Sequence, residues 1–211
     1  MRLGTPKTPA PGGGVEPVFR LDMLSADELA GQGVTLLPAL TPPTVNQGLV
    51  LNGTTQYAVA RKNFILPAEF TMYFEFTPTF NYTVDANYVF SDSDALYRLL
   101  LLKYNNVNLN RILLLLGAGA IYVDGPNYGA IWRTNQRNKL CVVAATGAGL
   151  IYLNGMAVAT ANNPYTIGYF NNVVIGADYF GGNNFPGTFF DVQIYTRLLT
   201  AAEALQLTTV T

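Results

Sequence analysis

Between Phe70 and Pro78 the side chains change character at every step: Phe70, Met72, Phe74 and Phe76 are apolar, and Thr71, Tyr73, Glu75 and Thr77 between them can face water. A period of two is what a strand with one buried face requires, because successive side chains leave opposite faces of a sheet. Phe189 to Tyr195 repeats the pattern, with Phe190, Val192 and Ile194 assigned to the buried face and Asp191 and Gln193 to the wet one. Further strands are predicted over Leu49 to Arg61, Tyr88 to Ser91, Tyr97 to Tyr104, Ile112 to Val123, Leu140 to Thr146, Leu150 to Leu153, Met156 to Thr160 and Val173 to Ile175. About ten to fourteen short strands result, which suits two stacked antiparallel sheets. Asn154-Gly155 separates Ile151-Tyr152-Leu153 from Met156-Ala157-Val158 and predicts a two-residue hairpin, since both residues accept positive φ. Helix signals are confined to two places with capping-box spacing, Ser25 with Glu28 and Thr200 with Glu203. The runs Leu99 to Leu102 and Ile112 to Leu116 do not alternate, so they are predicted to be central strands covered on both faces.

The chain of 211 residues suits one large sandwich, residues 18–211. Residues 1–17 are rich in Gly and Pro and cannot offset their own ordering entropy, so they are expected to form an arm. Half of the residues are hydrophobic and only 12% are charged, which leaves a largely neutral surface that tolerates partners. A formal charge of −1 gives no footprint for nucleic acid or an anionic bilayer. There is no histidine and one cysteine, which excludes zinc sites of the usual kind, Ser/His and Cys/His nucleophile pairs and any disulfide within the chain. Cys141 lies in an apolar run and reads as a small buried hydrophobe. No stretch is long and apolar enough for a secretory signal or a membrane span, so synthesis in the cytoplasm without a signal peptide and without membrane insertion is expected.

Candidate sites follow from the polar residues. Polysaccharide hydrolysis needs two carboxylates flanking one bond, whereas Glu69 and Glu75 would lie some 20 Å apart along a strand. No catalytic residue is therefore predicted, and the chain reads as a binding or structural protein rather than an enzyme. Asp92 and Asp94 around Ser93, and Asp178 after Gly176, are the candidates for calcium as a cofactor; turns closed by their side chains are the alternative. Contact with a glycan or a partner protein wants aromatic platforms and amides. Tyr128 and Trp132, Asn171 and Asn172, and Tyr179, Asn183 and Asn184 supply them, with a core position as the alternative for Trp132.

Three segments, in order, resemble the laminin G-like branch of the concanavalin A-like jelly rolls. The first is Gly48 to Tyr57 followed by Phe70 to Pro78, the second the hairpin Leu150 to Ala159, and the third Val174 to Ala177, Phe185 to Gly187 and Phe190 to Glu203. The resemblance implies an all-β, two-sheet antiparallel jelly-roll sandwich with one or two very short helices, a fold shared by lectins, adhesion modules, glucanases and structural domains of virus particles. Joined to the expected arm and the sparsely charged surface, it leads us to expect a virion structural protein: a bacteriophage capsid decoration, fibre or tail-associated subunit. Such a subunit would form homo-oligomers and bind other virion proteins such as the capsid protein. The alternative is a carbohydrate-binding module or adhesin for host-surface glycans.

Overall fold

The computed structural model describes residues 16–210 apart from 24, 40–41, 62–63, 84–86, 93–96, 105–108, 117–118, 146, 159–160, 164–168, 171 and 179. The expected arm lies almost wholly outside the described residues. In chain order the elements begin with β1 (Phe19–Asp22), α1 (Ala26–Gly31), β2 (Val34–Leu37), β3 (Thr44–Val45), β4 (Leu49–Asn52), β5 (Tyr57–Ala60), β6 (Phe64–Ile65) and β7 (Phe70–Pro78). They continue with β8 (Asn87–Asp92), β9 (Tyr97–Tyr104), β10 (Leu109–Leu116), β11 (Gly119–Asp124), α2 (Gly125–Tyr128), β12 (Asn138–Ala145) and β13 (Ala148–Leu153). Last come β14 (Met156–Val158), β15 (Ala161–Asn163), β16 (Tyr169–Phe170), β17 (Val173–Ile175), β18 (Pro186–Tyr195) and α3 (Ala201–Thr208).

Two eight-stranded antiparallel sheets stack face to face. The first runs β14-β13-β12-β7-β18-β4-β3, with β1 also paired to β18, and the second runs β15-β11-β10-β9-β8-β17-β5-β2. Strands β16 and β6 form a separate pair. The inward side chains of β7, Phe70, Met72, Phe74 and Phe76, meet Phe90, Ile112, Leu114, Ile121 and Ile175 of the second sheet in one core. Each such side chain contributes about 1.5–3 kcal/mol through its burial. At one end of the sandwich Phe76, Phe80, Trp132, Phe185 and Phe189 pack ring on ring, with centroids 4.7–6.0 Å apart.

The predicted architecture holds, and its corrections are local. Leu49 to Arg61 is not one strand: β4 belongs to the first sheet and β5 to the second. The chain changes sheets at Asn52, whose side-chain oxygen accepts the N–H groups of Thr54, Thr55 and Gln56 at 3.0–3.1 Å. Ile112 to Val123 likewise divides into the hairpin β10–β11. The central placement of β9 and β10 is as expected, and on the outward side of β10 Leu113 is buried and packs with Ala120, Leu115 and Tyr122. The outward residues Thr71 and Tyr73 of β7 are buried rather than wet, because α3 lies over them. Both predicted helices form, and α2 is an additional single turn.

Candidate functional site

The outward face of the first sheet is divided in two. Over one half lies α3, whose Ala204 and Leu207, with Leu199 ahead of it, cover Tyr73, Cys141, Tyr152 and Tyr195. The helix is fixed at its start by the capping box that Thr200 and Glu203 predict: Thr200 Oγ1 accepts the N–H of Glu203, and Glu203 accepts the N–H of Thr200. The Arg197 guanidinium donates to both oxygens of Glu203, and these hydrogen bonds hold that carboxyl down at about 2. Thr71 ties strand to helix, donating to the carbonyl of Arg197 and accepting the N–H of Leu199.

The other half of that face is open and forms a concavity of about 650 Å³. Its floor is a row of carboxylates. Asp22 of β1 is the register partner of Asp191 of β18, which in turn is the register partner of Glu75 of β7. Directly opposed residues bring their Cβ atoms within about 5 Å, so this row needs counter-charge. Two arginines supply it. Arg20 reaches Asp191 at 3.1 Å and Asp22 at 3.9 Å, and Arg137 reaches Glu75 at 3.0 Å while its guanidinium lies 3.7 Å above the ring of Phe190. Asn46, Gln47, Val50 and Thr188 close the rim.

A β-bulge brings aromatic and acid together. The register between β18 and β7 shifts between Phe189 and Asp191, so Phe189 is buried in the core while Phe190 and Asp191 both line the outward concavity. The sequence places Phe190 on the buried face; one extra residue in the strand reverses that. Gly48 permits the fit, since a Cβ there would meet Thr188 Cγ2 at 2.6 Å and Phe190 Cε1 at 2.9 Å.

Hydrogen bonds run from the helix-covered half into the concavity. The Tyr73 hydroxyl donates to Glu75 at 3.0 Å; the Tyr195 hydroxyl donates to Gln193, whose amide donates to Asp191. Among the described residues, Asp191 Oδ1 and Arg20 Nε are buried and have no hydrogen-bond partner. Burial accordingly pushes the Asp191 carboxyl up to about 6, against the pull of Arg20 and Gln193. Burial raises Tyr195 to about 12, and it raises Tyr73 further, with Glu75 adding to the effect.

The residues expected to form a site from sequence fall elsewhere. Trp132 is 8% exposed and donates its indole N–H to the carbonyl of Phe80, and Tyr128 is fully buried against Tyr82 and Trp132. Neither can serve as a platform for a sugar ring; both belong to the core. Asn172 is half-buried, while Asn171 and Tyr179 lie outside the described residues. Asn184 is buried and donates to the carbonyl of Gln56, and Asn183 is exposed with its amide on Asp178. The Asp178 carboxylate also accepts the N–H groups of Phe180 and Gly182, which is the side-chain turn given as the alternative to a calcium ligand. Asp92 ends strand β8 as the register partner of Val173 rather than standing in a loop, and Asp94 lies outside the described residues. Among the described residues no three Asp, Glu, Cys or His side chains are grouped to hold a metal ion. Cys141 is buried under α3, and burial raises its thiol.

Fold and face together define a two-sheet jelly-roll domain with an open, polar sheet surface. The family model described as the concanavalin A-like lectin/glucanases superfamily, laminin G type, matches residues 52–204, and the chain belongs to that superfamily. No match is found among curated proteins. Among solved structures, domain 4 of AbnA, a GH43 extracellular arabinanase from Geobacillus stearothermophilus in complex with arabinotriose, is similar at 18% identity and TM-score 0.57, covering 77% of this chain and 76% of that one. The native heptameric SAP-like pentraxin from Limulus polyphemus is similar at 20% identity and TM-score 0.55, covering 74% and 76%. The CBM40 of the Ruminococcus gnavus IT-sialidase, bound to α2,3-sialyllactose, is similar at 15% identity and TM-score 0.50, covering 77% and 96%. At these identities the likeness shows the fold.

Proposed function

We propose that this domain is a carbohydrate-binding module that takes a glycan in the concavity on the outward face of the first sheet. The observation that carries the reading is the Arg137–Phe190 stack beside the Glu75–Asp191–Asp22 row. An aromatic side chain offers apolar surface to the C–H face of a sugar, and fixed carboxylates and amides accept and donate to its hydroxyls. The complexes of the arabinanase domain with arabinotriose and of CBM40 with sialyllactose support a glycan as the ligand class. Binding rather than hydrolysis is assigned because Glu75 and Asp191 are held by Tyr73, Arg137, Arg20 and Gln193 in ion pairs and hydrogen bonds. On an oligosaccharide array the protein is expected to bind without turnover, and Phe190→Ala and Glu75→Gln are each expected to weaken the strongest response at least tenfold. Unchanged binding by both variants would refute the site; glycan cleavage would refute the assignment to binding.

A second reading concerns where such a module works. The small share of charged residues favours docking in a larger assembly, as in a virion decoration, fibre or tail-associated subunit with homo-oligomeric neighbours. Intact-mass measurement is expected to show oligomers that deletion of residues 1–17 abolishes. A chain that stays monomeric at high concentration and does not join particles would remove this reading.

A further inference from the structure

We infer that the concavity selects uncharged glycans and turns away acidic ones, and that Asp22 is the residue that sets this choice. The inference rests on the glycan reading above and adds the class of sugar to it. Among the described residues, those that line the concavity carry three carboxylates, those of Asp22, Glu75 and Asp191, and one cation, Arg137. Arg20 stands beside them, paired with Asp191. Three negative charges therefore meet two positive ones, and the surplus lies on the surface that a ligand would touch.

Both arginines are already engaged. Arg137 holds Glu75 at 3.0 Å, with its guanidinium 3.7 Å from the centre of the Phe190 ring. Arg20 offers one nitrogen, Nη2, to Asp191 at 3.1 Å and to Asp22 at 3.9 Å. The longer of these contacts is beyond hydrogen-bond reach, and among the described residues it is the only ion pair that Asp22 makes. Its carboxylate is partly exposed, so it keeps its charge and its access to the concavity.

The charge on Asp22 works against its own sheet. The residue stands directly opposite Asp191, and like charges in opposed positions weaken the pairing of strands. Asp22 also adds to the rise of the Asp191 carboxyl. A charge that costs the fold and lines the ligand surface finds its use in the choice of ligand. A sugar bearing a carboxylate brings a fourth negative charge to the floor of a recess whose protein walls concentrate the field, and like charges across an interface suppress the wrong partner. An uncharged sugar meets no such repulsion, and its hydroxyls donate to the same carboxylates.

The test uses the full-length protein at neutral pH and calorimetric titration with arabinotriose, galactotriose and lactose, which are uncharged, and with trigalacturonate and sialyllactose, which carry carboxylates. Titrations are run at about 0.01 M and about 1 M salt, where charges are felt over about 30 Å and about 3 Å. At low salt the tightest uncharged probe is expected to exceed both acidic probes by about tenfold or more, and at high salt by less than about threefold. Asp22→Asn is expected to melt no lower than the unmodified protein and to cut the low-salt ratio by about threefold or more. The ratio is the readout because Asp22 belongs to the binding surface itself. A lower melting temperature would show that the carboxylate serves the fold, and a ratio that neither salt nor Asp22→Asn changes would show that shape makes the choice; either result overturns the inference. If an acidic probe binds most tightly and Phe190→Ala weakens it, the inference is overturned and the concavity stands. If no probe binds, or if Phe190→Ala leaves the tightest binding unchanged, both fall.

Discussion

Replacing Asn138 by alanine is expected to lower the free energy of unfolding by about 3 kcal/mol and the melting temperature by roughly 6 to 12 °C. Asn138 is the first residue of β12, the register partner of Phe76, and wholly buried. Its amide uses its full capacity: Nδ2 donates to the carbonyls of Arg133 at 2.7 Å and Gln136 at 3.0 Å, while Oδ1 accepts the N–H of Arg133 at 3.1 Å and Nδ2 of Asn154 at 2.9 Å. Asn154 extends the network, donating to the carbonyl of Ile131 and accepting the N–H of Lys139. Alanine removes four hydrogen bonds and leaves several of their partners inside the protein, and the unmet partners cost more than the bonds themselves. The effect should reach the concavity. Arg137 is the neighbour of Asn138 in the chain, and the segment between Arg133 and Asn138 is closed by the bonds that alanine deletes. Urea unfolding at neutral pH, paired with glycan titration, checks both consequences. A loss below about 1 kcal/mol would show that the segment holds itself without this amide.

The sandwich was legible because period two is a local property, printed in β7 without need of tertiary context. The hairpin at Asn154-Gly155 was legible for a related reason: φ values of 51° and 80° there are a demand on single residues, and Asn and Gly meet it. The site was not legible, since it depends on relations between distant strands. Nothing in the order Phe189-Phe190-Asp191 announces a bulge, although two successive aromatic residues followed by an acid are a departure from alternation that could have raised the question. The pairing of Asp22, Asp191 and Glu75 appears only once the register is known, and the search for paired carboxylates along one strand missed carboxylates aligned across three. Asn138 fell just outside the strand predicted from Leu140, because a polar amide at a core position reads as a loop until its four partners are seen. Tyr128 misled in the opposite direction, since a polar handle next to Asn and Gly suggested a binding loop and the ring is buried; for Trp132 the core position, which the sequence also offered, is the one found, with the indole N–H satisfied by the carbonyl of Phe80.

The carboxylate row makes the stability of the domain depend on pH through Asp191, and the sign is opposite to that of most paired carboxylates. Burial, with a smaller push from Asp22, outweighs Arg20 and Gln193 and raises the folded carboxyl from 3.8 to about 6. A group that holds its proton more tightly in the folded chain stabilises the fold as the proton is added, so stability is gained as pH falls from about 6 towards 4 and is absent above that window. At about 1.4 kcal/mol per pH unit between the two values, the gain is on the order of 3 kcal/mol. Asp191→Asn cannot titrate, so the stability of the unmodified protein minus that of the variant is expected to rise by that amount between pH 7 and pH 4 in urea unfolding. Taking the difference removes the contribution of Glu203, whose carboxyl lies below its ordinary value and works in the other direction at lower pH. A difference that stays flat across the window would mean that water reaches Asp191 and burial does not govern it. If the gain is found, protonation also removes one negative charge from the floor of the concavity and leaves Arg20 with Asp22 alone, so glycan affinity should change over the same range of pH in which the fold gains stability.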